Sequence, residues 1–277
     1  MEAKTYVKID FRIPGTEQRE ILTAFLTSCG WDALEEHPDG LSVFIPGEAW
    51  DEHDLNELLA ALPFDVDYKT SEIKEKNWNS LWERQITPLN IEDQLYIRTG
   101  FHPPAPEGKI EIIIDPKMSF GTGHHPTTEL MLRMLLEEQA AGKTLIDMGT
   151  GTGVLSILAE KLGAKPVFAI DNDPWAFENA KENVLKNHCR HIQVIRGDAT
   201  SLQNLPGADI FLANINRNII LKDLSLYVEK INKGGSLMLS GFYKRDKKII
   251  LDRAVQAGLK PVRLTEKNDW LGMKFVK

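Results

Sequence analysis

The sequence predicts an α/β chain: a mostly parallel sheet with helices on both faces, closed by a C-terminal antiparallel hairpin and preceded by a small α+β module. Three observations predict it. From Leu89 onward, apolar strand-like runs alternate with helical patterns, and that alternation builds a parallel sheet. The strand Thr144-Leu145-Ile146 passes through the glycine-rich turn Asp147-Met148-Gly149-Thr150-Gly151-Thr152-Gly153 directly into a helix. Near the end, Val262-Arg263-Leu264 and Trp270 to Val276 read as two strands with no helix between them, joined by the polar turn Glu266-Lys267-Asn268-Asp269.

The elements follow in chain order. Thr5 to Phe11 alternates apolar and polar residues, the mark of a half-buried strand. Residues 17–28 carry Ile21, Leu22, Phe25 and Leu26 at helical spacing; Leu41 to Pro46 is a second strand; Leu55, Leu58, Leu59 and Leu62 mark a second helix; Phe64 to Tyr68 is a third strand. This β-α-β-α-β order makes residues 1–70 a small module. Residues 71–88 read as a linker whose polar helix, 72–86, sets Trp78, Leu81, Trp82 and Ile86 on one side. Residues 89–277 form the larger domain, with strands expected at 110–114, 144–147, 166–171, 192–196, 208–213 and 235–241. Its helices are expected at about 126–140, 153–162, 174–187, 217–231 and 245–257. Runs such as Val167-Phe168-Ala169-Ile170 and Ile210-Phe211-Leu212-Ala213 are apolar throughout, as strands buried on both faces are.

Composition narrows the class. The 277 residues are 42% hydrophobic and 26% charged, the balance of a soluble globular protein. No run approaches the roughly 20 apolar residues that span a bilayer, and Met1-Glu2-Ala3-Lys4 lacks the opening of a signal peptide. Cys29 and Cys189 make neither a disulfide framework nor a CxxC metal pattern. A monomeric cytoplasmic protein without membrane contact is expected. Charge is uneven: residues 1–70 hold 15 acidic and five basic side chains, a balance of −10, while the other 25 acids and 28 bases leave +3. An acidic module suits a basic partner and argues against nucleic acid there; it also serves as a solubilising face.

The glycine turn indicates a nucleotide-like cofactor, because glycine has no Cβ to obstruct a ligand. The next strand ends in Asp171, 22 positions after Gly149, where a carboxylate can accept from ribose hydroxyls. Both NAD and S-adenosylmethionine enzymes share this. Three details separate them. The dinucleotide fingerprint would place its third glycine at 154, which is Val154 here; the third glycine is Gly153. Asp147 precedes the turn, where a carboxylate repels a pyrophosphate but suits the ammonium and sulfonium of S-adenosylmethionine. The helix-free terminal hairpin is foreign to repeated dinucleotide halves. S-adenosylmethionine is therefore the expected cofactor, with Asp147, Gly149, Gly151 and Asp171 around it. Asp198, closing the following strand, reads equally as an acceptor for the adenine amino group or as a turn aspartate.

A second concentrated signal is Asp115 to Thr128. A loop rich in Gly and Thr meets Pro126, a residue suited to the first turn of a helix. Free backbone N–H groups and the hydroxyls of Thr127 and Thr128 would then gather at a helix N-terminus and take the methionine carboxylate, with Phe120 as a wall. His124 and His125 invite a metal, but neighbouring side chains in a loop point apart and no Cys or carboxylate cluster accompanies them. A polar loop role, or lining the acceptor pocket, is expected instead.

Taken together, Phe120-Gly121-Thr122-Gly123-His124-His125-Pro126-Thr127-Thr128, the turn Asp147 to Gly153, Ala169-Ile170-Asp171-Asn172-Asp173-Pro174 and Ala213-Asn214-Ile215-Asn216 resemble the bacterial ribosomal protein L11 methyltransferases, the PrmA type. Asn77-Trp78, Trp82, Ser240-Gly241 and Trp270 extend the resemblance, which covers the chain from about residue 76. It implies a class I (Rossmann-like) methyltransferase domain and an N-terminal module that recognises the ribosomal protein. It implies methylation of lysine side chains and the N-terminal α-amine, with cofactor contacts at Thr128, Gly149, Asp171 and Asn214. Two positions depart from the pattern: Lys117 stands where the family often has glycine, and Ile215-Asn216-Arg217 is more polar than usual.

Methyl transfer to an amine is a direct displacement in which alignment supplies most of the rate. The amine must be unprotonated, and burial lowers its pKa from about 10.4. No general base announces itself. Asn214, following the strand Phe211-Leu212-Ala213, is the candidate catalytic residue, able to accept from the amine or to fix the cofactor; a turn asparagine is the plain alternative. A nucleic-acid or small-molecule N-methyltransferase on the same scaffold is the competing function. Base methylators carry Asn/Asp-Pro-Pro-Tyr at this segment, and this chain has neither proline nor aromatic there.

Overall fold

In the computed structural model of the chain, which describes residues 5–13, 15–28, 31, 33–37, 39–74, 87–115, 117, 119, 121 and 123–277, two units form, Met1–Leu81 and Trp82–Lys277.

In the first unit, β1 (Thr5–Arg12), α1 (Thr16–Ser28), β2 (Leu34–His37), β3 (Gly40–Pro46), α2 (Glu52–Ala61) and β4 (Asp67–Lys74) follow in order. The sheet runs β2-β3-β1-β4, antiparallel throughout. Alternation along β1 turns Ile9 and Phe11 inward, where they meet Leu41, Val43 and Ile45 of β3 and Leu22, Leu26, Leu55 and Leu58 of the helices. Asp51 caps α2 by accepting from the His53 N–H at 2.8 Å. Two expectations are corrected. The order is β-α-β-β-α-β, with the short β2 unforeseen. The last strand lies at Asp67–Lys74 rather than 64–68, so residues 71–74 belong to this sheet and not to a linker. The helix expected over 72–86, with Trp78 and Trp82, otherwise lies outside the described residues.

The second unit opens with a three-stranded sheet, β5 (Leu89–Ile91), β6 (Leu95–Arg98) and β7 (Ile110–Ile113). β7 pairs in parallel with β6 and stands apart from the main sheet, where the sequence had placed it. Then come α3 (Pro126–Leu136), β8 (Leu145–Met148), α4 (Val154–Lys161), β9 (Val167–Asp171), α5 (Pro174–Lys186), β10 (Ile192–Arg196), β11 (Ala208–Asn214), α6 (Arg217–Lys230), β12 (Ile231–Tyr243), α7 (Lys247–Gln256), β13 (Lys260–Lys267) and β14 (Trp270–Val276).

The main sheet has seven strands in the order β10-β9-β8-β11-β12-β14-β13. The first five are parallel, and β14 is antiparallel to both of its neighbours. The central strands are buried on both faces, which accounts for their unbroken apolar runs. Asn268 and Asp269, at φ 48° and 63°, make the two-residue turn of the hairpin, the conformation that matches strand twist. Among the described residues no helix is long and apolar enough to cross a membrane.

Candidate active site

β8 lies between β9 and β11, so the chain leaves it toward one side of the sheet and later returns on the other. At such a reversal the loops diverge and leave a crevice beyond the carboxyl ends of the strands. A cavity of about 540 Å³ opens there, inside the roughly 300–1,000 Å³ of small-molecule sites.

One wall is the glycine turn. Gly149, Gly151 and Gly153 have φ of 75°, 57° and 83°, a region other residues enter only with strain. The turn folds back on β9: Gly149 and Thr150 donate their N–H groups to the Ile170 carbonyl at 2.8 and 3.0 Å. Gly151 N–H donates to Asp171 Oδ2 at 2.8 Å, and Asp173 N–H to Asp171 Oδ1 at 3.1 Å. The Asp171 carboxylate is thereby fixed on the cavity wall, and each oxygen retains capacity for a further donor.

Asp147 is placed differently from the sequence expectation. It is fully buried and does not line the cavity. Its Oδ2 accepts from Thr150 Oγ1 and Ser156 Oγ, both at 2.7 Å, which ties the turn to α4. Its Oδ1 has no partner. Burial pushes its pKa up to about 6, against the opposing effect of the two hydroxyls. The side chain supports the turn and is not in position to face a ligand.

The opposite wall is the start of α3. Thr127 and Thr128 both line the cavity. Thr127 N–H is not free, as the sequence had suggested: His125 caps the helix through Nδ1, which lies 3.4 Å from Thr127 N and 2.8 Å from Thr127 Oγ1. Burial lowers the His125 pKa, favouring the neutral ring that this cap requires. His125 lines the cavity, whereas His124 Nε2 contacts the Thr87 carbonyl at 2.8 Å. Phe120 lies outside the described residues.

At the end of β11, Asn214 Nδ2 donates to Thr128 Oγ1 at 3.4 Å. That bond joins the two walls and leaves Asn214 Oδ1 buried without a partner. Ser119 Oγ is a second buried oxygen without a partner on the same cavity. Asp198 is elsewhere. It caps the 3-10 turn Ala199–Asn204 by accepting from Thr200 N–H at 2.9 Å and Thr200 Oγ1 at 2.6 Å, so its turn reading holds.

Several cavity residues were not among the sequence candidates: Ser119, Ile215, Asn216, Ile219, Gly241 and Trp270. Trp270 opens β14, where it pairs with Tyr243 of β12. Its ring stacks on Tyr243 at 4.1 Å and meets His125 edge-on at 4.8 Å. The Arg245 guanidinium lies 4.8 Å from the centre of the Tyr243 ring. Gly241, at φ 95°, has no room for a Cβ, which would fall 2.2 Å from the Ile215 carbonyl oxygen. The available signals were the Asp115 to Thr128 segment, which holds Ser119, and the family resemblance, which quotes Ile215, Asn216, Ser240-Gly241 and Trp270. Lys117, where that family often has glycine, adopts φ 43°, the left-handed region, and pairs with Glu182 at 2.5 Å.

Comparison with known proteins shows the family. A family model described as "Ribosomal protein L11 methyltransferase (PrmA)" matches residues 44–277. The Bacteroides fragilis protein named ribosomal protein L11 methyltransferase is 40% identical over 268 residues, covering 95% of this chain and 96% of that protein. The Porphyromonas gingivalis protein of the same name is 41% identical over 260 residues, 92% of this chain and 90% of the relative. A crystal structure of ribosomal protein L11 methylase from Lactobacillus delbrueckii subsp. bulgaricus superposes with a TM-score of 0.64 at 25% identity, covering 69% of this chain and 98% of that one.

Proposed function

Because the chain belongs to the ribosomal protein L11 methyltransferase family, we propose that it is a cytoplasmic enzyme that transfers methyl groups from S-adenosylmethionine to amino groups of ribosomal protein L11, on lysine side chains and on the N-terminal α-amine. The observation that carries this reading is the meeting of Thr128, Gly149, Asp171 and Asn214, far apart in sequence, on one cavity.

The residues present fit the cofactor. Asp171 lines the cavity with a carboxylate fixed by two backbone N–H groups, an acceptor that a ribose diol would use. Ser119 Oγ and Asn214 Oδ1 are buried polar atoms that a polar ligand would satisfy, and such atoms destabilise by about 1–3 kcal/mol when left unpaired. Bound there, S-adenosylmethionine supplies an electrophilic methyl group on a sulfonium.

The remaining work falls to the protein. Thr128 engages the Asn214 amide through Nδ2 and leaves Oδ1, which can only accept, without a partner on a residue that lines the cavity. Oδ1 would accept an N–H of the incoming amine and so hold its nitrogen beside the bound cofactor. A protonated amine has no lone pair to offer, and the enclosed site disfavours its charged form. Trp270, backed by the stacked Tyr243 ring, gives an aliphatic side chain an apolar wall in the same cavity as Asn214. The acidic residues 1–70 take the recognition role, attracting a basic protein.

Methyl-labelled S-adenosylmethionine incubated with the enzyme and purified ribosomal proteins should label one band, L11, with whole-methyl mass gains at lysines and the N-terminus. Label in RNA and in no protein would sink the reading. The KM for L11 should also rise with ionic strength, as screening weakens attraction between exposed charges.

A further inference from the structure

Asn179 and Asn183 of helix α5 and its C-cap Asn187 follow at four-residue spacing, hence on one face, and all three are buried. Their amides hold the backbone where β7 leaves its sheet. Asn187 accepts from the Ile113 N–H at 2.9 Å and donates to the Ile113 carbonyl at 2.7 Å. Asn183 Oδ1 accepts from the Asp115 N–H at 3.0 Å, and Asn179 Nδ2 donates to the Asp115 carbonyl at 2.8 Å.

Asn183 does something its neighbours do not. Its Nδ2 also donates to the Thr152 carbonyl of the glycine turn at 2.9 Å. Thr152 in turn donates its hydroxyl to the Gly121 carbonyl at 2.6 Å. The segment that supplies Ser119, Gly121, His125 and Thr128 to the cavity is thus fastened to the turn that supplies Gly149 and Gly151, at Asp115 through Asn183 and at Gly121 through Thr152. Asn183 itself does not line the cavity.

We propose that Asn183 is a positioning residue for the cofactor: by joining Asp115 to Thr152 it fixes the gap between the two cavity walls and so sets affinity for S-adenosylmethionine without touching it. The proposal rests on the reading of the cavity as that cofactor's site. Asn187 is the internal control, because it shares the helix face and burial and likewise binds backbone of the same segment, at Ile113, but does not reach the turn.

The experiment compares wild type, Asn183→Asp and Asn187→Asp by calorimetric titration with S-adenosylmethionine, by melting temperature and by steady-state kinetics. Asn183→Asp is isosteric but turns an oxygen toward the Thr152 carbonyl. It should weaken binding and raise the cofactor KM by about tenfold or more, the scale of a lost buried hydrogen bond, with kcat at saturating cofactor little changed. Asn187→Asp should lower the melting temperature comparably and leave the dissociation constant near wild type. Should Asn183→Asp fail to fold, Asn183→Ser removes the donor without adding charge and is expected to weaken binding in the same way. Wild-type affinity in the Asn183 variants, or equal weakening by Asn187→Asp, overturns the proposal. Failure of the wild type itself to bind overturns the cofactor reading beneath it.

Discussion

A Cβ on Gly149 would lie 2.2 Å from Cγ2 of Ile215. The absent side chain at 149 is therefore filled by Ile215, and the glycine turn is fitted to the β11–α6 loop as closely as to any ligand. Gly149→Ala should force Ile215 outward, drag Asn214 with it and impose left-handed backbone strain of about 1–2 kcal/mol. A fall in kcat/KM of about a hundredfold or more is expected. The double variant Gly149→Ala, Ile215→Ala separates the two causes: partial recovery identifies the clash, and no recovery would leave strain alone.

Asp171 meets the cavity with a carboxylate already held by two backbone N–H groups. Asp171→Ala removes charge-assisted hydrogen bonds of roughly 1.5–3 kcal/mol. Titration calorimetry should show S-adenosylmethionine binding at least about tenfold weaker; unchanged affinity would place the ribose elsewhere.

Asp147 makes stability depend on pH. Its pKa in the fold is pushed up to about 6 by burial, so the folded state holds this proton more tightly than the unfolded chain does. The resulting stability is complete below the ordinary carboxyl pKa, declines as pH rises and is lost above about 6, a span of about 3 kcal/mol. Asp147→Asn does not titrate. Asn is neutral as the protonated carboxyl is, so denaturant midpoints of the two proteins should lie close at pH 4 and draw apart by pH 7, the wild type losing. A gap independent of pH would refute the assignment.

His125 works in the opposite direction. Its lowered pKa means that the neutral ring belongs to the folded state, so its stability is present above the ordinary histidine pKa and lost as pH falls through the lowered value. Protonation at Nδ1 would undo the cap of α3 and loosen Thr127 and Thr128. Cofactor affinity should therefore weaken on acidification below about pH 6.5. His125→Asn keeps a cap acceptor but cannot titrate, and should flatten that dependence. Identical acid limbs in binding titrations would exclude this cap as the cause.

What was legible in the sequence was local. Gly149 to Gly153, Asp171 and Pro126 announce a turn, a strand end and a helix start through their own covalent limits. The strand alternation of the larger unit gave its sheet, because buried parallel strands need unbroken apolar runs. Side-chain direction was not legible. Asp147 occupies a strand end that sequence places correctly, yet the pleat turns it to Ser156 and away from the cavity. β2 escaped notice because Leu34-Glu35-Glu36-His37 is short and polar, its pairing with β3 being its main support. Trp270 reached the site through register with Tyr243, a pairing across 27 positions that no local pattern encodes.

The sheet order has a consequence for biosynthesis. β14 is made after β13 but must lie between β13 and β12. During translation β13 has no neighbour in the sheet until β14 emerges, and β12 keeps an open apolar edge. Trp270 arrives with that final strand, so the pocket gains its aromatic wall last. The cavity is thus complete only once β14 has been made, and a chain truncated before β14 carries the glycine turn but not the finished pocket.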